Sequence, residues 1–254
     1  VWALTPFVGG GIAYAIASVL PRPDVPERYS VPALVGLVAV VLVNVEFSFL
    51  GAGDATGTAS GVTQRLLGVE GPAAAAAVTG VAAVVVAAVV WWDVGRDRQG
   101  GLRHVLLALG SLVAFSAGGS QVGLAVGPLI PLLESVEMVS LVAVLVGGGA
   151  GMLAGSWMGA PRMIKSLAQD YSSLGPRRAI AALVPSFLIA QLAVLLGVPV
   201  SFNEIVVSAI IGSGAAVGGR EAVDAEKILL TAGAWAGSFV LSFGLAYGTS
   251  ALVL

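Results

Sequence analysis

Apolar runs that approach or reach the length of a bilayer crossing recur along the whole chain, at 1–20, 32–50, 72–92, 104–133, 138–158, 179–200, 201–218 and 228–254. A helix needs about 20 such residues to cross the hydrocarbon core. Within that core every backbone N–H and C=O must find its partner inside the protein. The fold class that follows is an all-α polytopic membrane protein of about seven to eight membrane segments. Composition agrees, because 57 % of the 254 residues are hydrophobic and only 10 % are charged, whereas soluble domains carry about a quarter charged residues.

Several function classes drop out at once. Twelve basic residues against fourteen acidic ones leave no nucleic-acid footprint, and the absence of cysteine removes disulfides, thiol catalysis and thiolate metal sites. A single histidine, His104, forms no metal-spaced cluster and no Ser/His/Asp set, and beside Arg103 it reads as interfacial. The chain therefore reads as no enzyme, with no metal site and no cofactor. It opens on Val1 with no basic stretch before the first apolar run, so no signal peptide is expected.

Basic residues set the expected orientation. Segments 21–31, 93–103, 159–178 and 219–227 hold Arg22, Arg28, Arg96, Arg98, Arg103, Arg162, Lys165, Arg177, Arg178, Arg220 and Lys227, while the other connections hold only Arg65. Lys and Arg mark cytoplasmic loops, so 93–103 and 159–178 are expected there and both chain ends outside. Segments 179–200 and 201–218 then go out and return, turning at "GVPVS".

Ionisable groups at depth are costly and face a bundle interior or a cavity. Asp54, Glu70, Asp93, Asp97, Glu134 and Glu137 fall between spans or at their ends and read as solvated. Glu46, near the end of an apolar run, either snorkels to the interface or faces inward. Glu204 follows "GVPVSFN" at the start of an apolar run; it serves either as a favourable charge at a helix start or as an ion-binding or gating group.

Two stretches carry polar residues inside apolar surroundings: "SAGGSQVGLAVGP" at 116–128 and "GVPVSFNEIVVSAIIGSG" at 197–214. Each reads as a polar break followed by a helix, and a half-helix N-terminus offers unpaired N–H groups to an anion. Transporters place such broken or re-entrant segments at the interface of inverted repeats, around a substrate. The bland alternative is a glycine-rich packing seam, which also fits "GGGAG" (147–151) and "GSGAAVGG" (212–219).

Gly118-Gly119-Ser120-Gln121-Val122-Gly123-Leu124-Ala125 resembles, in position, the second "GANDVANA" signature of the inorganic phosphate transporter family, the Pit-type permeases. Gly197-Val198-Pro199-Val200-Ser201-Phe202-Asn203-Glu204 resembles that family's "GLPVSTTH". The opening "VWALTPFVGGGIAYAIA" is similar to the span that closes the family's first half, and "AGAWAGSFVLSFGLAYGTSAL" to its last span. The resemblance implies residues 1–20 as the last span of a first repeat whose other parts lie upstream, and 21–254 as a second repeat. "GAGDATGTASG" (51–61) imitates the signature but sits in the wrong place, so Asp54 reads as part of an external loop.

The resemblance also implies symport of inorganic phosphate with sodium or protons across the cell membrane. Carried over by position, Ser120 and Gln121 stand on the signature's Asn-Asp pair and Leu124 on its second Asn. Ser201, Phe202 and Asn203 stand on "STT", and Glu204 on the histidine. The expected substrate and ion site is Ser116, Ser120, Gln121, Ser201, Asn203 and Glu204. Gln121 lacks the carboxylate charge that offsets dehydration of a cation, and Glu204 is the candidate to restore it. A sulfate or other oxyanion permease, or a channel-like or regulatory protein that has lost coupled transport, are the alternatives. The partners expected are an oxyanion, a coupling cation and the lipid bilayer, with a homodimer left open.

Overall fold

The computed structural model describes residues 4–22, 25–47, 50–51, 57–130, 140–165, 175–198, 200–219 and 223–253. Among these the chain is nearly all helix: α1 (Thr5–Val19), α2 (Glu27–Leu42), α3 (Ala59–Leu67), α4 (Pro72–Arg96), α5 (Arg98–Val126), α6 (Leu141–Lys165), α7 (Pro176–Leu195), α8 (Phe202–Gly218) and α9 (Ala225–Val253). Five of them, α4, α5, α6, α7 and α9, are long and apolar enough to cross a membrane. The protein is a membrane protein by that measure. Two-residue strands, β1 (Glu46–Phe47) and β2 (Gly57–Thr58), pair antiparallel between α2 and α3.

Local sequence explains where the helices start. Pro72 and Pro176 open α4 and α7 at positions where a proline's missing N–H costs nothing. Elsewhere a short polar side chain takes up an otherwise unpaired backbone N–H. Thr58 accepts from Gly61 N (2.9 Å), Asp97 from Gln99 N (3.0 Å) and Asp224 from Glu226 N (3.1 Å). Asp97, expected to be a solvated acid, is thus the cap of α5. Replacing it by alanine is expected to cost about 1 kcal/mol, read as a lowered thermal midpoint in detergent at unchanged oligomeric state.

The 32–50 run is corrected by the structure. Its helix begins earlier, at Glu27, and stops at Leu42, so Glu46 lies exposed on β1, just past the end of the helix. A larger correction concerns 116–128. No break is present there: α5 runs helical through Val126, and Pro128 sits in a 3-10 turn, Gly127–Leu129, that continues it. Glycine lowers helix stability by about 1 kcal/mol relative to alanine but keeps its N–H, so the hydrogen-bond ladder survives. Nor are these glycines a tight seam, since a Cβ added at Gly118, Gly119 or Gly123 would meet nothing within 4 Å. Asp54, Glu134, Glu137 and Pro199 lie outside the described residues.

Packing divides into two zones. Leu20, Val31, Val38, Leu102, Val105, Leu109, Ile180, Val184 and Phe187 form a core among α2, α5, α7 and the end of α1. Ala13, Ala182, Ala209 and Ile210 form a second of small residues where α1, α7 and α8 meet. Many hydrophobic side chains of α4, α6 and α9 face outward, among them Val84, Leu153, Trp157 and Phe243, while Val94 of α4 is buried. Apolar residues turned outward are what a helix in lipid requires.

Several arginines gather where α2, α5 and α7 start and α4 ends. Arg98 and Arg177, at the starts of α5 and α7, both pair with Glu27 at the start of α2. At the end of α4, Arg28 lies 4.3 Å over the Trp91 ring and Arg96 5.5 Å from that of Trp92. Arg65 is elsewhere, donating to Leu50 O at 3.2 Å.

Candidate functional site

The turn between α7 and α8 is built by three residues. Gly197 adopts a left-handed backbone (φ +64°) that favours glycine. Its N–H and that of Val198 return to Val194 O (3.0 Å) and Ala193 O (2.8 Å), the paired bonds that close a helix in a Schellman motif. Ser201 then caps α8, with Glu204 N 3.5 Å from its hydroxyl, and the Ser201-x-x-Glu204 spacing is that of a capping box. The break expected at "GVPVS" is therefore present, and its polar residues are engaged in making the turn.

Against this turn lies a cavity of about 510 Å³. Ser116, Ser120 and Gly123 of α5 form one wall; their i, i+4, i+7 spacing places them on one helix face. Ala190, Gln191 and Val194 of α7 form the second, and Gly197, Val198, Val200 and Phe202 close the end. Gln191 Nε2 donates to Ser116 Oγ at 2.8 Å, joining α5 to α7 across the cavity, while Ser120 Oγ donates back to Ala117 O at 3.2 Å. Hydroxyl and amide groups in an apolar wall can hydrogen-bond the oxygens of a small oxyanion. No acidic side chain stands among the described lining residues to hold a bare cation.

The six expected site residues are thus divided. Ser116 and Ser120 line the cavity, and Ser201 sits between two lining residues with its hydroxyl on the α8 cap. Gln121, one residue on from Ser120 and so turned about 100° around the helix, is not among the described lining residues. Asn203 is exposed on the first turn of α8, and Glu204 is buried, 4 % exposed, beneath it. Gln191 was missed by the sequence reading. A lone amide in the middle of the 179–200 run carried the signal, since polar groups at depth are retained where they face an interior. Gln191 also borders a neighbouring cavity of about 420 Å³ with Asn44 and Glu46. There Asn44 Nδ2 donates to Thr79 Oγ1 at 3.0 Å.

The model of the phosphate transporter family matches residues 1–246. The chain belongs to that family. It is 31 % identical over 132 residues to inorganic phosphate transporter 2-1, chloroplastic, of Arabidopsis thaliana, a match covering 48 % of this chain and 22 % of that protein. A putative phosphate permease of Helicobacter pylori is 29 % identical over 119 residues, 43 % of this chain and 22 % of the permease. Sodium-dependent phosphate transporter 1 of Homo sapiens is 27 % identical over 132 residues, 49 % and 19 % of the two chains. The matched segments thus span about a fifth of these relatives' length. A solved structure titled the sodium-dependent phosphate transporter superposes with a TM-score of 0.59 at 20 % identity, over 85 % of this chain and 56 % of that one, and so shares the fold.

Proposed function

We propose that the chain carries one half of a cation-coupled transporter of inorganic phosphate across the cell membrane. The observation that carries this reading is the hydrogen-bonding cavity between α5, α7 and the capped turn, in a chain of the phosphate transporter family. Residues 1–20 contribute the last span of a first repeat and 21–254 a second repeat of inverted type, with the basic end cytoplasmic and both chain ends outside. Phosphate is held by Ser116, Ser120 and Gln191, with Ser201 shaping the turn below them. Two carboxylates border the region and are the candidates for the coupling cation: Glu204, buried behind the turn, and Glu46, on the wall of the neighbouring cavity.

Reconstitution into liposomes tests this. Labelled phosphate is expected to accumulate when a sodium or a proton gradient is imposed, on this chain together with any segment its natural form adds. Glu204→Gln and Glu46→Gln identify the coupling group: the one that holds the cation abolishes the gradient's effect. Folded, inserted protein that accumulates neither phosphate nor sulfate under either gradient sinks the proposal. Accumulation of sulfate alone would name a different oxyanion for the same cavity.

A further inference from the structure

Five arginines surround a single buried carboxylate at the basic end of the bundle. Glu27, its side chain 8 % exposed, accepts from Arg98 Nε on Oε2 at 2.6 Å and is ion-paired through Oε1 with Arg177 Nε. On one side of this triad lies a cavity of about 460 Å³ whose wall includes Arg98, Arg177 and Arg178. On the other lies one of about 340 Å³ bordered by Arg22 and Arg28. The first turns of α2, α5 and α7 all open here, each adding the positive end of a helix dipole. Among the described residues here, the Glu27 carboxylate and the Asp97 cap of α5 stand against five arginines.

The pairing leaves donors in reserve. A guanidinium offers five N–H donors in a planar fork that fits a carboxylate or a phosphate through two parallel bonds. Arg98 donates to Glu27 through Nε, Arg177 is ion-paired with it at Nε, and the two side chains remain 61 % and 39 % exposed. Their terminal amino groups are thus reachable from the solvent-open cavity. We infer that this cavity is a binding site for a phosphate-class oxyanion, held by Arg98 and Arg177, in which Glu27 is the resident anion that the ligand competes with. Free phosphate and the headgroup of an acidic phospholipid share that chemistry. The site is separate from the α5–α7 cavity: Gln191 lies 14 residues beyond Arg177, about 21 Å along α7, and the inference does not rest on transport.

The test is equilibrium dialysis of labelled inorganic phosphate against the full chain purified in phosphate-free detergent, repeated with short-chain phosphatidic acid as the ligand. Arg98→Gln and Arg177→Gln are each expected to weaken binding about tenfold, the worth of a hydrogen bond to a charged group. Glu27→Gln is expected to tighten it by a similar factor, because the competitor has lost its charge. Arg98 is largely exposed, so its variant remains informative even where Glu27→Gln fails to fold. Free phosphate binding with this arginine dependence identifies a soluble oxyanion site; phosphatidic acid binding alone, with the same dependence, identifies a headgroup site. Binding of neither ligand, or binding equal in wild type and both arginine variants, overturns the inference. Phosphate binding that Ser116→Ala removes and Arg98→Gln leaves intact would overturn it while supporting the α5–α7 cavity.

Discussion

Gly212→Ala is expected to separate α1 from α8 and to collapse the stability of the bundle. The two helices run in the same direction and touch backbone to backbone, with Gly9 facing Ile205 and Ser208, and Gly10 facing Gly212. A Cβ at Gly212 would overlap the Gly10 carbonyl oxygen and stand 2.7 Å from its carbon and 2.9 Å from its Cα. These are main-chain atoms, which cannot rotate aside as a flexible side chain would. Overpacking of a well-filled core costs ~1–3 kcal/mol, and a clash with backbone belongs at or above the top of that range. Lipid supplies no hydrophobic drive to hold two helices together, so their association depends on this close approach of small residues. Gly11→Ala is the matched control, one residue further along α1, where an added Cβ meets nothing within 4 Å. Thermal unfolding followed by size-exclusion chromatography in one detergent compares the two. A Gly212→Ala protein as stable as the Gly11→Ala protein would mean that the α1–α8 contact is not as described.

The same glycine shows what could be read from the residues and what could not. Small residues in 212–219 signalled close packing, and the structure supplies it at Gly212; in the equally glycine-rich 118–123 a Cβ at Gly118, Gly119 or Gly123 would meet nothing within 4 Å, although composition makes the two alike. Spans with strong end signals were legible: Pro72 and Pro176 fix two helix starts, and Gly197 with Ser201 fixes the α7–α8 turn. The course of α5 was not, because serine, glutamine and glycine carry the composition of a helix break, whereas the backbone ladder needs none of their side chains. Glu27 passed unremarked since an acid at a helix start is ordinarily solvated. Its burial comes from Arg98 and Arg177, 71 and 150 residues away in sequence, which no local pattern announces. Gln121 illustrates the converse: motif position assigned it to the site, whereas helical phase turns it from the cavity that Ser120 lines.

Under the proposed function, that phase difference yields the second large effect, a loss of phosphate uptake of roughly tenfold or more in Gln191→Leu with Gln121→Leu near wild type. Gln191 Nε2 is 2.8 Å from Ser116 Oγ and is the only side-chain amide among the described lining residues. Leucine keeps a similar size and the apolar contacts of α7 but removes both the donor and the link to α5. A hydrogen bond to a charged partner is worth ~1.5–3 kcal/mol, which sets the size of the loss if that amide also holds the oxyanion. Ser116→Ala is expected to lower uptake as well. The double variant is expected to do little more than the worse single one, because residues in one hydrogen-bonded pair do not contribute additively. Unchanged thermal midpoints would separate a lost ligand contact from a lost fold. The opposite pattern, uptake abolished by Gln121→Leu and spared by Gln191→Leu, would return the site to the face of α5 that the signature motif indicates and empty the α5–α7 cavity of its assigned role.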